Sequence, residues 1–244
     1  ESIIDEAVLR ILTLKEKLGL FEKPYRGADV EIEQQLVGHQ DHLQLSRELA
    51  TKSCVLLKND NNLLPLNNNK NIALIGPFAD SGDILGPWSA LGVREEAVTL
   101  KQAFEKHLPS NQLTVDTGCH VETITPQQLD EAVQAASKAD VIVVAVGEDS
   151  DMSGEAGCRT NIQLPAPQLE LLKALAACGK PIVTILFNGR PLDLHGVIEY
   201  SDAIFEAWYP GSEGGSALVD LLYGVTIPSG KLTMSFPDNV GQVP

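Results

Sequence analysis

Residues 141–146, VIVVAV, form six consecutive apolar residues, five of which are β-branched. A run without alternating polar residues is typical of a strand buried on both faces, and such strands belong to parallel sheets covered by helices. Shorter β-branched runs recur along the chain between helix-like patterns: SCVLLK, NIALIGP, LTVDTG, PIVTILF and AIFEAW. This alternation predicts an α/β fold, with a mostly parallel sheet sandwiched between helices in a three-layer α/β/α arrangement.

Local helix-start signals agree with this alternation. Residues 125–128, TPQQ, place Thr125 at an N-cap, Pro126 at the first helical position, and Gln128 where it completes a capping box. We predict helices at about 34–52 and after residues 99, 125, 167 and 212.

The beginning of the chain differs from the rest. Residues 1–20 place isoleucine and leucine on one stripe of an amphipathic helix that stops at a glycine. Residues 21–33, FEKPYRGADVEIE, mix charge with proline and glycine, which is typical of a connector. We therefore predict a boundary near residue 30, between a terminal helix with its linker (1–30) and an α/β domain (31–244).

Composition limits the possible partners. The net charge of -15 opposes contact with phosphate backbones, and no apolar run approaches the roughly 18 residues that span a bilayer, so we predict neither a nucleic-acid nor a membrane partner. Pro77 interrupts the only nucleotide-loop-like stretch and no G-K-[ST] occurs, so we predict no cofactor. Because the first residue is Glu1 and the methionines are Met152 and Met234, we expect a longer parent chain.

Four carboxylates follow the VIVVAV strand: Glu148, Asp149, Asp151 and Glu155. Ligands of open α/β sheets bind beyond the carboxyl ends of the strands, so this loop lies where a site is expected. The acids suit a solvated loop, a hard-metal site, or carboxylates placed for proton transfer. A D-x-D-x-S-G pattern begins at Asp149, but Thr160 stands where a calcium loop requires a bidentate glutamate, so we predict no metal.

Three further features have two interpretations each. Trp88, in GPWSAL, is more typical of a local core residue than of a ligand platform. Arg190, in NGRPLDL, suits either a structural ion pair or a substrate contact. The glycines of residues 210–215, PGSEGG, suit close helix packing better than anion binding at a helix N-terminus.

Five long stretches, in order over nearly the whole chain, resemble the second domain of family 3 glycoside hydrolases, the β-glucosidase group: SCVLLKNDNNLLPL, IALIGPFAD, VVAVGEDSDMSGEAGCRTNIQLP, GKPIVTILFNGRPLDL and AWYPGSEGGSALVDLLYGVTIPSGKLTMSFP. The resemblance implies an α/β sandwich that follows a (β/α)8 barrel. In that family the barrel supplies an aspartate nucleophile, and a loop of the sandwich supplies the general acid/base. The opening helix and GLFEKPY resemble the end of the barrel and its linker.

The resemblance also implies site residues by position. Glu155, in SGEAGCR, corresponds to the general acid/base, and Arg159 completes that motif as a substrate-binding residue. Trp88 and Ser89, in GPWS, fall where the sandwich domain approaches the sugar. The nucleophile has no counterpart in this chain, because the barrel that bears it is missing.

The predicted function is therefore that of the second domain of an exo-acting retaining β-glycosidase. The expected partners are a β-linked oligosaccharide or glycoside substrate and the N-terminal (β/α)8 barrel of the same parent chain. The alternative is a non-catalytic carbohydrate-binding or scaffolding domain whose acids are solvated. We expect a periplasmic or secreted protein.

Overall fold

A computed structural model describes residues 1–25, 27 and 29–242 of the chain and divides into two compact units, Glu1–His42 and Leu43–Pro244. In the first unit, α1 (Ser2–Lys17) is followed by Gly19 with a φ of 69°, a left-handed conformation that ends the predicted amphipathic helix. Within this unit α1 buries none of its residues. The domain boundary near residue 30 stays a prediction.

The single helix predicted at 34–52 is wrong, because two helices occupy this region. Asp29 caps α2 (Val30–Leu36) by accepting hydrogen bonds from the backbone N–H groups of the first turn. Gly38 then adopts a φ of 70°, and α3 (Gln40–Ser53) begins after it. A left-handed glycine ends a helix, so the continuous helical pattern is broken here.

The second unit contains one six-stranded sheet with the order β1-β6-β5-β4-β2-β3. All neighbouring pairs are parallel except β1 with β6, which is antiparallel. The predicted, mostly parallel sheet is confirmed. Its strands are β1 (Val55–Asn59), β2 (Ile72–Ile75), β3 (Leu113–Asp116), β4 (Val141–Gly147), β5 (Ile182–Phe187) and β6 (Ala203–Glu206).

Two hydrophobic cores cover the two faces of this sheet, because successive residues of a strand point to opposite sides. Leu74 and Val143 belong to one core with residues of α4 and α8, whereas Ile75 and Val144 belong to the other with residues of α5, α6 and α7. The three-layer prediction is therefore confirmed. These helices are α4 (Leu100–His107), α5 (Pro126–Ser137), α6 (Ala166–Ala176), α7 (Val197–Tyr200) and α8 (Gly214–Leu222).

The helices of the second unit begin largely where the sequence predicts. The predicted capping box at Thr125 is present, and Thr99 forms a second one at the start of α4. The short helix α7 was not predicted. A Cβ atom built on Gly215 would lie only 2.3 Å from the carbonyl oxygen of Thr99, so this glycine permits close packing of α8. Close helix packing is the interpretation that the sequence favours for the glycines of residues 210–215.

Strand order creates a switch point between β2 and β4. The chain leaves β2 toward β3 on one side, whereas β4, β5 and β6 follow one another on the other side. The helix after β2 and the helix after β4 cover opposite faces, so the chain leaves these two neighbouring strands toward opposite sides of the sheet. Such a crevice at the carboxyl ends of the strands is the usual ligand position in open α/β sheets.

Gln168 on α6 fixes the carboxyl end of β4. Its buried side chain accepts a hydrogen bond from the Gly147 N–H at 2.7 Å and donates one to the Gly147 carbonyl at 2.8 Å. A Cβ atom at residue 147 would overlap the carbonyl oxygen of Phe187 at 1.8 Å, so only glycine fits between the strands. The loop that follows β4 therefore starts from a fixed point.

Two further features are the state of the cysteines and the length of the apolar helices. Cys54, Cys119, Cys158 and Cys178 are free. No helix within the described residues is both long and apolar enough to cross a membrane.

We predict that Phe187→Ala lowers the free energy of unfolding by about 3–5 kcal/mol. Phe187 is fully buried at the end of β5 and stacks on Phe78 with ring centroids 5.2 Å apart, so its removal leaves a cavity in the core. Urea unfolding measures the change. The exposed Ile227→Ala serves as the control and should shift stability by less than about 0.5 kcal/mol. A loss below about 1 kcal/mol for Phe187→Ala would contradict this packing.

Candidate active site

Glu148, the first residue after β4, is fully buried. Its carboxylate receives an ion pair from each of two arginines: Arg159 through Nη1, and Arg190 through Nε at 3.2 Å. Both guanidinium groups direct charged hydrogen bonds at this buried carboxylate, which fixes its position. Glu148 is therefore a structural anchor of the loop.

A tyrosine holds the same backbone from the loop after β6. The Tyr209 hydroxyl lies 3.2 Å from the carbonyl oxygen of Glu148 and 2.9 Å from that of Asp149, and donates toward them. Burial raises the pKa of Tyr209 above its usual value, so the phenol remains a donor. Loops from β4, β5 and β6 thus converge on the first two acids.

Asp149 serves as a helix cap. Its side chain accepts a hydrogen bond from the Met152 N–H at 3.2 Å and starts a 3-10 turn at Ser150–Met152. Burial, with the neighbouring charge of Asp83, raises the pKa of Asp149. Within the described ranges, no group of three or more His, Cys, Asp or Glu side chains is placed to hold a metal ion.

The loop after β2 is tied to the loop after β4. Asp83 accepts a hydrogen bond from the Ser150 N–H at 3.0 Å and pairs with Arg94 at 3.3 Å, and Arg94 donates to the Ser150 hydroxyl at 2.7 Å. A Cβ atom on Gly154 would lie 2.9 Å from the Pro87 side chain, so the two loops also touch near Glu155. These contacts bring Pro87 and its neighbours next to the predicted acid.

A cavity of about 330 Å³ opens between these two loops, at the switch point of the sheet. Glu155 and Asp151 are exposed carboxylates in its wall, and Ser89 is partly buried there. Trp88 is 71% exposed, so its interpretation as a local core residue is wrong. The cavity is lined by Gly86, Pro87, Trp88, Ser89, Arg94, Ser150, Asp151, Ser153 and Glu155.

The structure brings three of the four predicted site residues together. Arg159 lies apart from them: its guanidinium pairs with Glu148 and donates to the Gln163 carbonyl at 3.3 Å. It lines a separate cavity of about 250 Å³ with Asn161 and Gln163. Arg190, whose role the sequence left open, also forms a structural ion pair.

A second buried glutamate, Glu206, ends β6. It accepts hydrogen bonds from the Trp208 N–H at 2.9 Å and from the Asn188 side chain at 3.1 Å. Burial raises the pKa of Glu206 to about 8, and the charge of Glu148 contributes in the same direction. Glu206 therefore carries a proton at neutral pH.

Sequence reasoning missed Asp83, Arg94, Asn188 and Glu206. Asn188 follows β5 and Glu206 ends β6 at the carboxyl edge of the sheet, and this position was the available signal, whereas Asp83 and Arg94 lie in the long segment between β2 and α4. Their pairings join residues far apart in the chain, which one sequence without tertiary contacts does not specify.

The fold and this crevice define an α/β domain with a cavity at the switch point of its sheet. The family model of the glycosyl hydrolase family 3 C-terminal domain matches residues 54–244. The chain belongs to this family, and the predicted resemblance is confirmed.

Similar proteins agree on this assignment. A "Periplasmic beta-glucosidase" of Salmonella typhimurium is 40% identical over 271 residues, which cover 99% of this chain and 35% of that protein. A "Beta-xylosidase" of Formosa agariphila is 39% identical over 99% of this chain and 34% of its own length. The crystal structure of a mutant β-glucosidase from Listeria innocua with laminaribiose superposes with a TM-score of 0.93 at 40% identity, over 99% of this chain and 33% of that one. The chain spans about a third of the length of these relatives.

We predict that Glu206→Gln removes a pH dependence of stability. The folded state, with a Glu206 pKa of about 8, holds a proton that the unfolded state releases near its usual 4.5. The unfolded state thus binds fewer protons between these values, so the free energy of unfolding falls as pH rises through this window and levels off above it. The variant should gain stability relative to the wild type as pH rises from about 5 to about 8.

Urea unfolding at several pH values measures this difference. Glu105→Gln, an exposed change on α4, is the control and should keep the wild-type slope. Equal slopes for Glu206→Gln and the wild type would contradict a protonated Glu206.

Proposed function

We propose that this chain is the second domain of an exo-acting retaining β-glycosidase and that Glu155 is its general acid/base. The observation that supports the assignment is the contrast between two glutamates of one loop. Glu148 is fully buried and held by two arginines, whereas Glu155 is exposed in the wall of the cavity. Only an accessible carboxyl group can exchange a proton with a glycosidic oxygen.

The neighbours of Glu155 suit a sugar ligand. Trp88 offers an exposed aromatic surface in the same cavity, and Ser89 and Arg94 add hydrogen-bonding groups. Binding sites of this kind combine an apolar surface with a few polar groups that fix orientation. We assign Trp88 and Ser89 to substrate binding and Arg159 to support of the loop through Glu148.

The proposed reaction requires a second carboxylate from another domain. In a retaining glycosidase one carboxylate attacks the anomeric carbon while the acid protonates the leaving oxygen, and the two carboxyl groups lie about 5–5.5 Å apart. The acid then acts as the base that activates water in the second step. We propose that a (β/α)8 barrel of the parent chain supplies the nucleophile, so the active site forms where the two domains meet.

The substrate is proposed to be a β-linked glucoside, xyloside or related oligosaccharide. The names of the relatives, β-glucosidases and β-xylosidases, support this class, as does the laminaribiose bound in the Listeria innocua structure. The name of the Salmonella relative supports a periplasmic or secreted location.

We predict that Glu155→Ala in the full-length protein damages substrates unequally. General acid catalysis contributes roughly 10² to 10⁴ in rate, so hydrolysis of a cellobiose-like substrate should fall by about this factor. A dinitrophenyl glycoside should lose much less in bond cleavage, because its leaving group departs without a proton. Azide should restore turnover and give a β-glycosyl azide, since it attacks without a general base.

Asp151→Ala is the matched control, because Asp151 is the other exposed carboxylate in the cavity wall. It should retain the wild-type dependence on the leaving group and show no rescue by azide. If Asp151→Ala shows the rescue and Glu155→Ala loses activity equally on every substrate, the acid/base is Asp151. If neither change affects hydrolysis, the domain is a binding or scaffolding module.

A further inference from the structure

Arg190 reaches from the loop after β5 into the loop that carries Glu155. Its Nε donates to Glu148 at 3.2 Å, while its Nη2 donates to the Met152 carbonyl and to the Ser153 hydroxyl, the latter at 3.3 Å. These contacts use three of the five N–H groups of the guanidinium. One side chain therefore holds both the beginning and the end of the segment that leads to Glu155.

The loop that bears Arg190 is itself anchored in the core. The buried side chain of Asn188 donates to the Arg190 carbonyl at 2.8 Å and to Glu206 at 3.1 Å. A continuous series of hydrogen bonds thus runs from the end of β6, through the loop after β5, to the backbone just before Glu155.

Gly189 supplies an independent observation of the same contact. A Cβ atom at this position would lie 2.6 Å from the Ser153 hydroxyl oxygen and 3.1 Å from the Tyr209 ring. The backbone beside Arg190 therefore packs directly against the Glu155 loop, and any side chain at residue 189 would displace it.

We propose that Arg190 is a positioning residue, which holds residues 148–153 so that Glu155 faces the cavity. The catalytic consequence rests on the proposed role of Glu155, whereas the holding of the loop does not. A planar guanidinium can bond a carboxylate, a carbonyl and a hydroxyl in fixed directions, whereas a lysine ammonium lacks this geometry. Loss of Arg190 also leaves Arg159 as the remaining ion-pair partner of the buried Glu148 among the described residues.

Amide hydrogen exchange tests this role in the full-length protein. Arg190→Met, which keeps length but removes every donor, should make the amides of residues 149–155 exchange about tenfold faster or more, because the charged hydrogen bonds that close the loop are lost. The kcat for a cellobiose-like substrate should fall by a larger factor than KM changes, since substrate binding surfaces remain. Arg190→Lys should recover part of the loop protection.

Arg47→Met is the matched control, because it breaks an arginine–carboxylate pair elsewhere in the domain. Arg47 binds Asp220 on α8 through two hydrogen bonds of 2.6 Å, and its side chain is 33% exposed, against 23% for Arg190. This variant should leave the exchange of residues 149–155 and kcat at wild-type values. Gly189→Ala, which retains the guanidinium, should speed exchange in the same segment as Arg190→Met does.

The proposal is overturned if Arg190→Met and Arg47→Met give the same exchange at residues 149–155 while both remain folded by circular dichroism. It is also overturned if the loop exchanges faster but kcat stays at the wild-type value in an enzyme that Glu155→Ala inactivates. If Glu155→Ala lacks its expected signature, the acid/base assignment fails, and the exchange measurement still decides whether Arg190 holds the loop.

Discussion

The buried carboxylate of Glu148, with its two arginines, is the interaction on which the site loop depends. A buried charge is destabilising unless it is paired. Removal of one partner from a buried ion pair typically lowers the free energy of unfolding by about 3–5 kcal/mol. Glu148 meets this requirement because it forms ion pairs with Arg159, from its own loop, and with Arg190, from the loop after β5. As a consequence, the segment from Glu148 to Arg159 begins and ends at one ion pair, and Glu155 is exposed within this segment.

This arrangement separates two tasks between glutamates seven residues apart. Glu148 provides order and stays out of solvent, whereas Glu155 is exposed and free to serve in proton transfer under the proposed function. The bonds of Asp83 and Arg94 to the loop after β4 fix the position of the loop after β2, which carries Trp88, relative to the same segment. The cavity is thus built from contacts between loops, and its position follows from the strand order of the sheet.

The sequence predicted those parts of the structure that depend on local patterns. The strand at 141–146 and the capping box at Thr125 follow from apolar runs and from side chains within a few residues, and both are present. The pairing of Glu148 with Arg190 joins residues 42 positions apart, so no local pattern specifies it. Trp88 illustrates the same limit, because burial in a loop is decided by neighbours that sequence periodicity does not identify.

The most direct test of the proposed role of Glu155 is a crystal structure of the full-length protein, with its nucleophile replaced and an uncleaved β-linked disaccharide bound. We expect a carboxyl oxygen of Glu155 within about 2.6–3.2 Å of the glycosidic oxygen, the distance that proton transfer requires. The ring of Trp88 should contact the sugar. A structure in which Asp151 bonds the glycosidic oxygen, with Glu155 directed away from it, would contradict this role.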